Sequence, residues 1–274
     1  MKRQKTNTRA VGKIIIYCEG RRTEPEYINL FKQQRICRLE PIANKGTGIS
    51  KCMDFVEESD KKYNMIPNSK KKDIVGKWLM FDCDGREDVI EAIIVAKEKG
   101  FKIAFSNMCI EYWFVLHVIK HDGSAIPMKG ESHSKAQIEM INRGIDSYNK
   151  TADIKIEHYD PKSKGITEEF FEYLLSADRT TKRRRIDMAF EQAMRMHKEK
   201  KVNGCEYAES VTTIYELLLE LGVFTKRREY NGHIVEEIVK KNKVVGMFYK
   251  DYKGENVEIA ENDYDKIKDI YTFG

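Results

Sequence analysis

Within its first 120 residues the chain repeats one pattern about four times: a short apolar run, a polar turn, then a stretch with helical spacing. The runs are "KIIIYC" (13–18), "ICRLEPIA" (36–43), "DIVGKWLMFD" (73–82) and "FKIAFSN" (101–107). They are rich in β-branched and aromatic residues, as strands are. After the first, Thr23 and Glu26 read as a T-x-x-E capping box with Pro25 in the first turn of a helix. Helical spacing returns from Ile49 to Tyr63, in "EDVIEAIIVAKEKG" and in "IEYWFVLHVI". Strand and helix alternating in this way predict an α/β fold with a mostly parallel sheet flanked by helices on both faces.

The pattern changes from about residue 121. "SKAQIEMI", "TEEFFEYLLS", "RIDMAFEQAMRMHKEK" and "AESVTTIYELLLELG" read as helices separated by polar loops. The tail differs again, with "KVVGMFYKDYKGENVEI" reading as a hairpin that turns at Lys253 and Gly254. The expected organisation is a catalytic α/β domain over 1–120, a mainly helical region over 121–222 and a small C-terminal extension over 223–274.

The first and third strands end in acid. "YCEGRR" places Glu19 at the end of strand one, with Gly20 allowing a tight turn towards the next helix. "FDCDGRED" places Asp82 and Asp84 two apart at the end of strand three, where alternation would put them on one face. A parallel sheet brings both ends to one edge, the edge where open α/β sheets hold ligands. Three hard oxygen donors there suit one or two Mg²⁺ ions, with Mn²⁺ as a substitute. The bland reading of the two aspartates is a polar loop that stops a strand.

Charge and cysteine content bound the function class. Net charge is +5, a mild lean towards anionic partners. The basic residues cluster, above all in "TTKRRRID", where Lys182, Arg183, Arg184 and Arg185 stand together as a candidate grip on a phosphate backbone. A solvated surface is the alternative. Arg21, Arg22 and Thr23 lie at a helix start, a ready place for phosphate. The six cysteines, at 18, 37, 52, 83, 109 and 205, form no C-x-x-C pair, which fits reduced thiols in a cytoplasmic protein. No apolar run approaches the ~20 residues of a membrane span, and the basic start lacks the apolar stretch of a secretory signal.

A Glu-Gly after strand one followed by an Asp-x-Asp after strand three resembles the signature of the Toprim fold, found in topoisomerases, primases and some nucleases. "CEGRRTEPEY", "FDCDGRED" and "SNMCIEYWFVLH", in that order and spacing, more closely resemble the RloB-like family of defence-associated Toprim proteins. "ESVTTIYELLLEL" is similar to that family's helix near its end. The likeness runs over about 12–222; Met108 stands where the family often has proline, and nothing past Leu221 has a counterpart. The resemblance implies metal-dependent cleavage of nucleic acid, DNA or RNA, in defence against phage, under the control of a partner ATPase. It makes Glu19 the general acid/base or metal-organising carboxylate and Asp82 and Asp84 metal ligands. Glu111, just after strand four beside Asn107, is either a further catalytic carboxylate or a helix-start glutamate favoured by the dipole. Glu24 reads as a first-turn charge.

Other features have plainer readings. His117 and His121 are four apart on an expected helix, the spacing of zinc ligands, yet no third ligand is in view and packing is the preferred reading. Trp113, Phe114 and Leu116 read as core rather than as a platform for bases. A Toprim module without catalysis, acting as a binding subunit, is the main rival function. Phosphotransfer is another, although the chain has no G-x-x-x-x-G-K-[ST] loop. Oligomeric state is left open.

Overall fold

The structure, a computed structural model, describes residues 12–31, 38–43, 51–130, 132–162, 165–240 and 243–273. The chain divides into two compact units, Met1–Gly222 and Val223–Gly274.

The first unit opens with β1 (Lys13–Cys18), α1 (Thr23–Leu30), β2 (Arg38–Ala43), α2 (Cys52–Asn64) and the single-turn α3 (Asn68–Lys71). β3 (Ile74–Asp82), α4 (Val89–Glu98), β4 (Lys102–Asn107) and α5 (Glu111–Val118) follow. Cys37, the "NKGTG" loop and Ile49 lie outside the described residues. The sheet runs in the order β2-β1-β3-β4, all parallel. The expected alternation is therefore realised, with β1 and β3 as immediate neighbours: Cys18 stands opposite Met80 and the Glu19 N–H donates to the Met80 carbonyl at 2.9 Å.

Alternation along each strand builds two cores. One face carries Ile15, Tyr17, Leu79, Phe81, Ile103 and Phe105, which pack with Phe55 and Val56 of α2 and Ala92, Ile93 and Ala96 of α4. On the other side α1 and α5 meet through rings: Trp113 Nε1 donates to the Tyr27 hydroxyl at 2.6 Å, and Tyr27 sits edge-on to Phe114 at 5.2 Å between centroids. Trp113, Phe114 and Leu116 are wholly buried, as core residues should be.

Four helices complete this unit: α6 (His133–Asn149), α7 (Glu168–Leu175), α8 (Arg185–Val202) and α9 (Ile214–Glu220). Between the last two, the expected long helix over 208–222 is broken. Val211 and Thr212 form a short strand, β5, antiparallel to β4 at the sheet edge. The Thr212 and Thr213 side chains hold it there, Thr213 Oγ1 accepting from the Phe105 N–H at 3.0 Å and donating to the Ile103 carbonyl at 3.1 Å. The helical region thus supplies the fifth strand of the sheet.

Two local expectations are corrected. Arg22, not Thr23, occupies the N-cap position of α1, and no capping box forms. The Glu26 carboxylate instead accepts from the Ile166 N–H at 2.9 Å and from Arg22 Nε at 3.1 Å. α5 ends at Val118, so His117 and His121 do not share a helix. His117 Nδ1 donates to the Trp113 carbonyl at 2.9 Å, whereas His121 Nδ1 accepts from the Gly123 N–H at 3.1 Å. Both are packing residues.

The second unit is an antiparallel sheet of β6 (Phe224–Tyr230), β7 (His233–Lys240), β8 (Lys243–Lys250), β9 (Asn256–Glu258) and β10 (Lys268–Phe273), ordered β10-β6-β7-β8-β9. The expected hairpin is the β8–β9 pair. Its turn is fixed by Asp251, whose carboxylate accepts from the Lys253 and Glu255 N–H groups at 2.8 and 2.9 Å, with Gly254 at φ +81°. Among the described residues no helix is long and apolar enough to cross a membrane.

Candidate functional site: a carboxylate edge

The carboxyl ends of β1, β3 and β4 lie side by side, and acidic side chains gather there. Asp82 closes β3 on the face turned towards α1 and α5. Burial raises its carboxyl well above the usual range, and the neighbouring Glu24, Glu111, Asp84 and Glu19 carboxylates raise it further. This is an electrostatically costly grouping, because a buried carboxylate needs a positive partner or a proton.

Glu19 is the first residue past β1. Its Oε2 accepts from the Asp82 N–H at 3.3 Å, and its Oε1 pairs with Arg86 at 2.6 Å. Burial pushes its carboxyl up while Arg86 pulls it down, with a net rise. Asp84 does not continue the strand alternation. The chain turns over after Asp82, with Asp84 at φ +46° and Gly85 at φ +67°, and the Asp84 N–H donates to the Met108 carbonyl at 3.0 Å. The Asp84 carboxylate is left half exposed and reaches Arg86 at 3.3 Å.

Glu111 begins α5 and is buried in its first turn. It accepts from the Tyr159 hydroxyl at 3.0 Å, while the nearby Cys109 thiol donates to Gln137 Oε1 at 2.9 Å. Burial raises its carboxyl, and hydrogen bonding offsets part of the rise. Asn107 looks the other way: its Nδ2 donates to the Tyr207 carbonyl at 2.8 Å, and it braces the segment leading to β5.

Three participants are not legible in the sequence. Glu24, expected as a first-turn charge, is buried, and burial pushes its carboxyl up to about 7. Its Oε1 accepts from the Gly20 N–H at 3.0 Å, and a Cβ on Gly20 would lie 2.0 Å from Glu24 Oε2. Gly20 is therefore needed for this close approach as much as for the turn. The apolar neighbours of Glu24, Pro25 and Tyr27, are the one signal that this turn is buried. Arg86 is in plain view in "DCDGRED", but its direction depends on the left-handed turn before it. Tyr159 comes from a distant loop without a motif.

The basic candidates fall into separate groups. Arg21 and Arg22 are exposed at the start of α1, with Arg22 paired to Glu26. In the 182–185 run Lys182 is exposed at the tip of a turn with φ +61°, and Arg183 is paired with Glu191. Arg184 is exposed at the N-cap of α8. Arg185 is the exception to the expected phosphate grip. It is 5% exposed, bonds Asp178 at 2.9 Å, and lies 4.7 Å from the centroid of the Tyr173 ring. It belongs to the core.

The donor set at the carboxylate edge is all oxygen and anionic, the chemistry that suits Mg²⁺ or Mn²⁺. Among the described residues, no three His, Cys, Asp or Glu side chains stand in one cluster arranged to hold a metal ion, and Arg86 spans the two carboxylates that close the edge. The residues fit the ion in kind.

No curated protein and no solved structure matches the chain. The family described as RloB-like protein matches it over residues 14–221, nearly all of the first unit, and the chain belongs to the RloB-like family.

Proposed function

We propose that the carboxylate edge is the active site of a Toprim-like, divalent-metal-dependent nuclease. The observation that carries this reading is the half-buried Asp82 at the end of β3, whose carboxyl is raised by burial and by the charges of Glu24, Glu111, Asp84 and Glu19 around it. Folding alone gains nothing from gathering so many like charges out of water. A divalent ion offsets that cost, and when bound it stabilises charge on a phosphoryl group and lowers the pKa of a coordinated water. Asp82, Asp84 and Glu19 would hold it.

The chain's own residues supply the rest. Glu24, with its carboxyl near 7, is able to exchange a proton around neutral pH. Tyr159 holds Glu111 in place, and Gly20 lets the chain pass close to Glu24. Lys182, Arg183 and Arg184 supply contacts to the nucleic-acid backbone; Arg185 does not. By likeness to the family, cleavage serves defence against phage and is held in check by an ATPase partner. A binding module without catalysis is the second reading, favoured by the way Arg86 already spans Glu19 and Asp84.

The test is Mg²⁺ and Mn²⁺ binding by calorimetry, wild type against Asp82→Asn/Asp84→Asn, followed by incubation with plasmid, single-stranded DNA and total tRNA. Nuclease function requires binding that the double variant loses and cleavage of at least one substrate that disappears with it. Metal binding without cleavage, in the presence of the partner ATPase as well, would replace this reading with the binding module.

A further inference from the structure

Arg86 is the cation that the carboxylate edge supplies for itself. The turn that places it is tightly determined: Asp84 and Gly85 are both left-handed, and the Arg86 N–H closes the turn on the Cys83 carbonyl at 2.9 Å. The side chain is thereby sent back across the ends of β1 and β3. Its guanidinium meets Glu19 Oε1 at 2.6 Å, Asp84 Oδ2 at 3.3 Å and Cys52 Sγ at 3.5 Å, and only 18% of the side chain is exposed. With the Asp82 N–H on Oε2, both oxygens of Glu19 are engaged.

A guanidinium already held on Glu19 Oε1 and Asp84 Oδ2 competes with a hydrated divalent cation for direct ligation by those two oxygens. Arginine presents donors in a rigid planar fork, whereas Mg²⁺ demands octahedral geometry and its own waters. Their charges also repel at such short range. We propose that Arg86 is a built-in competitor for the divalent ion, one that must release Glu19 or Asp84 before the ion is held, and so sets the metal affinity of the edge. The inference rests on the metal-site reading given above. It makes Arg86 a positioning residue with the sign of an antagonist: removing it improves metal binding, whereas removing a ligand destroys it.

The test compares the full chain with Arg86→Gln and Arg86→Lys, each checked for native circular dichroism. Mn²⁺ affinity is measured by calorimetry, and thermal midpoints are taken in chelator and in saturating Mn²⁺. Arg86→Gln should bind Mn²⁺ about tenfold more tightly than wild type, a change of about 1.4 kcal/mol. Its midpoint should be the lower of the two in chelator and should gain more from Mn²⁺, since an ion that binds only the native state stabilises it in proportion to affinity. Arg86→Lys, which keeps the charge but loses the fork, should fall between them and serves as the arm that decides if Arg86→Gln does not fold. Equal or weaker binding in the variants, with wild type still binding, would overturn the antagonist role and leave the metal site standing. Absence of Mn²⁺ binding in wild type and variants alike would overturn both.

Discussion

At the carboxyl ends of β1 and β3 acidic side chains are drawn together, Glu24 and Glu111 buried and Asp84 still half exposed, whereas the basic run at 182–185 is taken apart by the fold one residue at a time. Asp82 has carboxylates for neighbours, and Arg86 is the cation placed among them. Arg185, by contrast, is sunk beside Asp178 and over Tyr173, and Arg183 is answered by Glu191 on the surface. In sequence the two stretches look equally like sites. In the structure the acids are grouped with like charges, while the buried base is paired with Asp178 and packed on Tyr173, its Nε alone left without a hydrogen-bond partner.

The largest effect that tests this contrast is expected at Arg185. Its replacement by Met leaves Asp178 without the partner that helps hold its carboxyl down to about 2, and removes a cation from the Tyr173 face. Breaking this part-buried pair from the Arg185 side, with the loss of its packing on Tyr173, costs about 2 kcal/mol, readable as a lowered urea midpoint with an unchanged slope. Nucleic-acid affinity of the folded variant should not move. A variant of native stability that no longer bound nucleic acid would erase the contrast and return Arg185 to the phosphate-binding run.

The acidic edge should respond in the opposite sense. Glu24 has its carboxyl raised from 4.5 to about 7, with burial as the main cause. A raised folded value means that the fold favours the protonated form, so the stability Glu24 contributes is complete below about pH 4.5 and is lost as pH rises through about 7. Glu24→Gln keeps an oxygen for the Gly20 N–H and cannot ionise. In chelator it should match wild type at acid pH and exceed it by on the order of 2 kcal/mol at alkaline pH. Paired urea titrations at the two ends of this window provide the check. A variant no more stable than wild type at alkaline pH would show that the edge is already neutralised by its surroundings.

The same contrast explains how far the sequence could be read. Strand ends that stop in Glu19 and Asp82 are legible because an apolar run broken by acid is unusual, and parallel order follows from the strand–helix alternation. Arg86 and Glu24 are legible as residues but not as participants: one depends on two successive left-handed turn residues, the other on burial by segments far along the chain. Tyr159 reaches Glu111 across 48 positions, a contact that no local spacing encodes. β5 is hidden for a related reason, since two residues carry no period and their strand state is decided by Thr212 and Thr213 bonding to β4. The T-x-x-E box at Thr23 does not form because Arg22 takes the N-cap, which puts Thr23 and Glu26 one position out of register for it, and Glu26 accepts from the Ile166 N–H instead.

The smallest effect sharpens the comparison within the basic run itself. Arg183 and Glu191 are about half exposed, so their pairing is screened by water and costs side-chain freedom to hold. Arg183→Gln should therefore change stability by no more than about 0.5 kcal/mol, far less than Arg185→Met two positions on. If Lys182 and Arg183 touch a nucleic-acid backbone, the double variant Lys182→Gln/Arg183→Gln should flatten the logarithmic salt dependence of binding to duplex DNA by about 0.9 for each phosphate it no longer neutralises. A stability change at Arg183 as large as at Arg185 would make the whole run a structural element. A small change together with an unaltered salt slope would make it a solvated face, and the proposed grip on a nucleic-acid backbone would then fall to the start of α1, where Arg21 and Arg22 stand beside the carboxylate edge in sequence.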